Sequence, residues 1–305
     1  MSRDLNRRDL LKSAGLAGAA MLASPLLQWA AAADEKPRKL LFFTRSQGFE
    51  HSAITRPKNA PDQLSFAEKF MVDFGKKHNT EVTCTKDGGV FTADGLAPFD
   101  VIMFYTTGLL DRPAPAKSSA TNGKPMPSDG KQNLLKAIEG GKGFLAVHSS
   151  TDTWHSPPGT VDPYIEMIGG EFVVHGKQQD AKIEAIVHEW GAIKGLESFT
   201  KFEEWYILKN LAPDMEVLLL QDTKSMSEQR YNDLAPYPET WARTHGKGRV
   251  FYTSMGHRED VWESDIFHQV LLGGFQWTAG NVEAEVKPNL VQVAPGAPRR
   301  HAAAT

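Results

Sequence analysis

The apolar pentapeptide Gly143–Val147 (GFLAV) runs directly into His148, Ser149, Ser150, Thr151, Asp152, Trp154 and His155. No other segment of the chain gathers two histidines, an acid and an indole so closely. An imidazole titrates near neutrality, so His148 suits a general base or a metal ligand; the alternative is a structural histidine bonded to a neighbouring loop. Asp152 and His155 stand three apart, a spacing that brings side chains together on a helical turn. Pro157-Pro158 directly afterwards opposes a helix there. Ser149-Ser150 lacks the G-x-S-x-G elbow of a serine hydrolase. Elsewhere, His51, His175 and His257 each follow an expected strand or turn, and Glu204 stands beside Trp205-Tyr206, where apolar neighbours can raise a carboxyl pKa. Arg45 and Arg249 are candidates to hold substrate oxygens, although an internal ion pair is the simpler role for Arg249. Trp241 offers a face for a sugar ring, or is a core tryptophan.

These groups need a scaffold that brings them together. Lys39–Thr44, Glu81–Thr85, Asp100–Thr107 and Gly143–Val147 read as strands, most of them apolar on both faces. Helical patterns over Pro61–His78 and Lys131–Glu139 alternate with them, and another helix is expected from about Thr160. The alternation predicts βαβ units in an α/β, flavodoxin-like, doubly wound and mostly parallel sheet. Active groups in such sheets sit past the carboxyl ends of the strands. Strand one and the Gly143–Val147 strand are expected to be neighbours, which would put His51 near His148. Further on, Ala181–His188, Glu204–Leu208 and Glu216–Gln221 read as strands. Pro238–Thr244 and Gly248–Ser254 read as a hairpin, and Asp260–Thr278 as a final helix. Leu110–Gly130 is a long aperiodic connection, either a lid or a surface insertion.

Residues 1–33 read as a targeting segment. Arg7-Arg8 lie in a twin-arginine n-region, an apolar Gly/Ala-rich stretch follows, and Ala31-Ala32-Ala33 offers a cleavage site. An uncleaved membrane anchor is the alternative; with the segment removed no stable membrane span is expected. The segment carries a net +2, from four basic and two acidic side chains, so its removal takes the chain from −3 to −5. That balance gives no basis for nucleic-acid binding. The lone Cys84 excludes a disulfide framework and lies in a strand-like run, as expected of a buried, inert thiol. Residues 34–280 form the expected domain and 281–305 a Pro/Ala-rich C-terminal tail, loose from Ala294 onward.

Several motifs recur in order across Lys39–Gly280: Gly48-Phe49-Glu50-His51, Asp100-Val101-Ile102, Gly141–Ser150, Ile168–Phe172 with His175, Glu203–Tyr206, Trp241-Ala242-Arg243, Gly246–Val250 and Met255-Gly256-His257. In that ordered set the chain resembles the ThuA-like, trehalose-utilisation family of the class I glutamine amidotransferase-like superfamily. The resemblance implies the flavodoxin-like fold and a context of sugar catabolism. It also implies that His257 stands where the superfamily keeps a late-loop histidine. The amidotransferases carry a cysteine on the turn after the central strand; this chain has His148-Ser149-Ser150 there, so thiolate hydrolysis of glutamine is excluded by residue type.

The resulting expectation is an exported, periplasmic or secreted protein whose partner is a small carbohydrate. His148 is the expected base and His257 or Glu204 the acid. Arg45, His51, Asp152, His155, His175, Trp241 and Arg249 are the expected substrate contacts. A sugar or ketosugar glycoside would react by proton transfer beside a carbonyl. A non-catalytic carbohydrate-binding protein and a metal-dependent hydrolase are the alternatives. The compact spacings that mark a zinc site are absent, so no cofactor is assigned, and a divalent metal would show as three ligand atoms within coordination reach.

Overall fold

In the computed structural model, which describes residues 37–115, 123–187, 190, 193–234 and 236–300, the chain alternates strands and helices as far as Ile168. The expected targeting segment and the middle of the Leu110–Gly130 connection lie outside the described residues. The strands are β1 (Arg38–Phe43), β2 (Thr80–Thr85), β3 (Val101–Phe104), β4 (Gly143–Val147), β5 (Glu171–His175), β6 (Gln179–Ala185), β7 (Phe199–Glu203), β8 (Tyr206–Lys209), β9 (Glu216–Asp222), β10 (Tyr237–His245) and β11 (Gly248–Thr253). The helices are α1 (Phe66–Lys77), α2 (Ala93–Leu96), α3 (Gly130–Glu139), α4 (Pro163–Ile168), α5 (Gln229–Asn232), α6 (Glu259–Trp262), α7 (Asp265–Thr278) and α8 (Leu290–Val293).

The main sheet has the order β2-β1-β3-β4-β11-β10-β9-β6-β7. Its first five strands are parallel and follow the flavodoxin order, with β11 as the fifth. From β11 onward each pairing is antiparallel, beginning with the β10–β11 hairpin. The sheet is covered on both faces, which is why its central strands are apolar at every position. Leu40, Phe42, Met103, Leu145 and Phe251 pack into one layer with Met71, Phe74 and Phe275. Leu41, Phe43, Ile102, Phe144 and Val250 pack into the other with Leu134, Ile138 and Ile165. A separate antiparallel pair, β5–β8, was not legible in the sequence.

Four expectations are corrected. β3 lies between β1 and β4, so the strands preceding His51 and His148 are not neighbours. The first helix begins at Phe66 rather than Pro61, because Ser65 and Glu68 form a capping box that fixes its start. The last helix is broken: Ser264 accepts from the N–H of Phe267 and starts α7 afresh after α6. As far as Arg300, the stretch expected to be loose from Ala294 is laid on the molecule, with Ala294 and Ala297 buried. No helix among the described residues is long and apolar enough to cross a membrane.

Candidate functional site

Val147 ends β4 in register with Thr253 of β11, so the next residues, His148 and Ser254, emerge side by side at the carboxyl edge. His148 is fully buried and takes the left-handed conformation, φ 45°, as it opens a 3-10 turn to Asp152. A β-carbon makes that conformation costly, so the surroundings must hold it. Its Nδ1 lies 2.8 Å from the carbonyl of Ser254. A carbonyl only accepts, so Nδ1 carries a proton, and in the neutral ring Nε2 presents a lone pair. That lone pair receives the Tyr206 hydroxyl at 2.9 Å and faces His257 Nδ1 at 3.2 Å and Glu204 Oε2 at 3.4 Å.

The loop carrying His257 is held by two buried carboxylates. Glu239 accepts from the hydroxyls of Thr240, Thr253 and Ser254 and from the N–H groups of Ser254 and Met255. Glu203 accepts from the N–H groups of Gly256 at 3.0 Å and His257 at 3.1 Å. Its other oxygen takes the N–H of Glu204 at 2.7 Å. Burial pushes both carboxyls up from their ordinary range. Glu204 links the two sheets, between the end of β7 and the start of β8. Burial opposes its ionisation too, but its interactions with the His148 and His257 imidazoles outweigh that and hold it well below the usual carboxylate range. The same ion pair acts against burial at His257 and pushes that imidazole up.

His51 reaches the cluster although β1 does not adjoin β4. The loop after β1 crosses the end of β3: Ser46 bridges Thr107, whose hydroxyl donates to the carbonyl of Phe49 at 2.6 Å. Lys86, itself buried, clamps the loop through Glu50 at 2.7 Å and the carbonyl of Thr44 at 2.6 Å. The His51 ring centre then lies 4.8 Å from that of His148 and 5.1 Å from that of His257. Burial, and then its two imidazole neighbours, push His51 well down. One ligand atom each from His51, His148, Glu204 and His257 lies within 4.8 Å of the others. His175 stands at the exposed rim, with Nδ1 3.3 Å from Glu204 Oε1.

The remaining expected contacts are placed otherwise. Asp152 and His155 pair with each other, and His155 also meets Glu171 at 3.1 Å; the chain brings them together just past the 3-10 turn, through an extended Thr153 and a left-handed Trp154, φ 50°. Arg45 is buried and donates to the carbonyls of Gly123 and Arg112, so it braces the long connection. Trp241 has no exposed surface and donates from Nε1 to the carbonyl of Ile168 at 2.9 Å, which makes it a core residue. Arg249 is the second residue of β11, at the opposite end from Ser254, and pairs with Glu283. Sequence reasoning missed Glu203, Glu239, Tyr206 and Gln178, whose amide lies 2.9 Å from His257 Nε2. The doubled acid before Trp205-Tyr206 and the acid within the apolar run Tyr237–Ala242 were the available signals for the two carboxylates.

A family profile described as ThuA, trehalose utilisation, matches residues 39–278. The chain is similar in structure to a ThuA-like protein from Bacteroides uniformis, with a TM-score of 0.58 and 20% identity over 80% of this chain and 91% of that one. A ThuA-like protein from Parabacteroides merdae gives a TM-score of 0.58 and 16% identity over 82% and 93%. A cytoplasmic protein of Salmonella typhimurium gives a TM-score of 0.51 and 15% identity over 81% and 100%. At these identities the likeness shows the fold. No curated protein matches the chain significantly.

Proposed function

The chain belongs to the ThuA, trehalose-utilisation family, and from that premise we propose that it is an exported enzyme acting on a sugar or ketosugar glycoside by histidine acid–base chemistry. One observation carries the reading: the Nε2 of His148 and the Nδ1 of His257 face each other at 3.2 Å, beside Glu204, in one cluster at the carboxyl edge of the parallel strands. A base and an acid are thereby placed within reach of one small molecule. In the reaction that suits them, His148 Nε2 takes the proton beside a sugar carbonyl. The electron pair left on carbon expels the glycosidic oxygen, and His257 protonates that oxygen as the carbon–oxygen bond breaks. Glu204 stabilises the imidazolium in either ring. Tyr206, which caps the His148 lone pair at 2.9 Å, is displaced toward a substrate oxygen.

A divalent ion on the same cluster is a second reading. It is favoured by the separations among His148 Nε2, His257 Nδ1 and Glu204 Oε2, which are 3.2, 3.4 and 3.2 Å. Ligands about 2.0–2.1 Å from a tetrahedral centre stand about 3.3–3.4 Å apart. The bond from His148 Nδ1 to a carbonyl is also the support a ligating imidazole commonly has. Such an ion would polarise a substrate carbonyl. Export rests on the Arg7-Arg8 motif of residues 1–33.

The test is a panel of ketosugar glycosides and disaccharides offered to residues 34–305, with and without chelator. Turnover should fall by about 10²–10⁴ in His148→Gln. Turnover unchanged in that variant would sink the acid–base reading, and loss of turnover on chelation would favour the ion. Replacing Arg7 and Arg8 by lysine should leave the protein in the cytoplasmic fraction; unaltered fractionation would sink the export reading.

A further inference from the structure

Gln178, in the connection between β5 and β6, joins His257 to Arg258. A guanidinium only donates, so the oxygen of Gln178 must be the atom facing Arg258 Nη1 at 2.8 Å. Its NH2 group therefore faces His257 Nε2 at 2.9 Å. An amide NH2 also only donates, so Nε2 of His257 is an acceptor. A neutral imidazole has one proton, which is then left on Nδ1, toward Glu204 Oε2 and His148 Nε2, each at 3.2 Å. His148 has its own Nδ1 proton committed to Ser254 and offers Nε2 as a bare lone pair. The two rings thus meet donor to acceptor. Arg258 is itself held, by Asp260 at 2.8 Å and by the face of Phe202 at 5.0 Å, so the amide has little freedom to turn over.

We propose that Gln178, oriented by Arg258, is a positioning residue that fixes His257 in its Nδ1–H form, making it the proton donor of the cluster and keeping its Nδ1 from ligating an ion. The inference rests on the acid–base reading above and deepens it. It also divides the four candidate ligands. Glu204 can serve an ion as it stands, and His148 once the Tyr206 hydroxyl turns away from its Nε2. His257 can join only if its proton moves to Nε2, which sets that N–H against the amide NH2. Turning the amide over relieves that clash but sets the NH2 against Arg258.

The tautomer can be read without a substrate. Metal-free protein labelled with nitrogen-15 in its histidines gives long-range imidazole spectra that distinguish protonated from bare ring nitrogens; His257→Gln assigns the signals. At a pH where the ring is neutral, His257 should show a protonated Nδ1 and a bare Nε2. Gln178→Met, which removes the donor, should abolish that preference. Gln178→Glu, which keeps a partner for Arg258 but offers His257 an acceptor, should move the proton to Nε2. The same variant should bind Zn²⁺ about tenfold more tightly, as expected when one donor clash is removed. Wild-type protein with its proton on Nε2, or both variants leaving the spectrum unchanged, would overturn the proposal. So would a gain in zinc affinity that persists when His257→Gln is combined with Gln178→Glu, since that gain would come from added charge alone. A blank sugar panel beside the expected spectra would count against the enzymatic reading and leave the positioning role standing.

Discussion

At the scale of single residues the site is built on acids that do no chemistry. Glu203 gives its two oxygens to three main-chain N–H groups, and through two of them it sets the position of His257. Glutamine at this position has one oxygen and one NH2 group. Whichever way it turns, a donor faces a donor, and at least one buried N–H is left without an acceptor. Glu203→Gln should therefore destabilise the protein by about 1–3 kcal/mol, seen as a lower denaturation midpoint with an unchanged slope. A midpoint equal to that of the parent would mean that the loop is held by something else. Residue type made His148, Glu204 and His257 legible in the sequence, because imidazoles and a carboxylate at strand ends are scarce. Glu203 and Glu239 were not legible as supports, since nothing local says that a carboxylate will face main-chain N–H groups from a loop some fifty residues away or across a strand pair.

At the scale of elements, α1 and α7 share one face of the sheet, and two histidines meet between them. His78 ends α1, and its Nε2 lies 3.4 Å from that of His268 on α7. The rings of Phe74 and Phe70 pack about them. Burial lowers His78 from 6.5 to about 4, with His268 and Lys77 adding repulsion; burial and Lys77 lower His268 as well, with Asp265 acting against them. The sign follows from which state takes the proton more readily. The unfolded chain protonates His78 near 6.5 and the folded one only near 4, so stability is lost as the pH falls through that window and is not recovered below it. Partial exposure screens the effect, leaving about 1–2 kcal/mol. His78→Gln should shrink the loss of stability between neutral and acid conditions by about that amount; a curve parallel to the parent's would exclude the pair as its source. The strands of the parallel half were legible because burial on both faces leaves a continuous apolar run, as in Gly143–Val147. The β5–β8 pair was not: after the buried Glu171, β5 alternates half-buried and exposed positions over only four residues, and its partner lies some thirty residues away. That pair delivers Tyr206 and His175, so Tyr206's place in the site was hidden with it, although His175 was named from its residue type.

At the scale of the whole molecule, the last segment completes a sheet that the strands leave unfinished. β6 runs out beside β9 at Leu219, with one further bond from Ile186 to Leu218, so among the described residues no strand lies against the edge of β9 at Glu216–Val217. Asn289 fills the gap with its side chain. Its Oδ1 accepts from the N–H of Val217 at 2.7 Å, and its Nδ2 donates to the carbonyl of Val217 at 3.0 Å. Beyond it, Leu290, Ala294 and Ala297 are buried in the layer that holds Val217 and Leu211. The chain then bridges Leu211 through Pro298 and Arg300. An open strand edge invites pairing with another chain, so this segment both buries apolar surface and blocks association. Its Pro and Ala content suggested a loose tail because composition records propensity but not the hydrogen bonds of one asparagine. Removing residues 284–305 should cost about 3–5 kcal/mol, from one buried leucine, smaller apolar contacts and the lost pairing of Val217. It should also make the protein self-associate as its concentration rises. Asn289→Ala should reproduce about 1–2 kcal/mol of that loss without exposing the leucine. Denaturation midpoints and sedimentation of the three proteins decide the matter. A truncated chain as stable and as monomeric as the parent would show that this segment lies on the sheet without holding it.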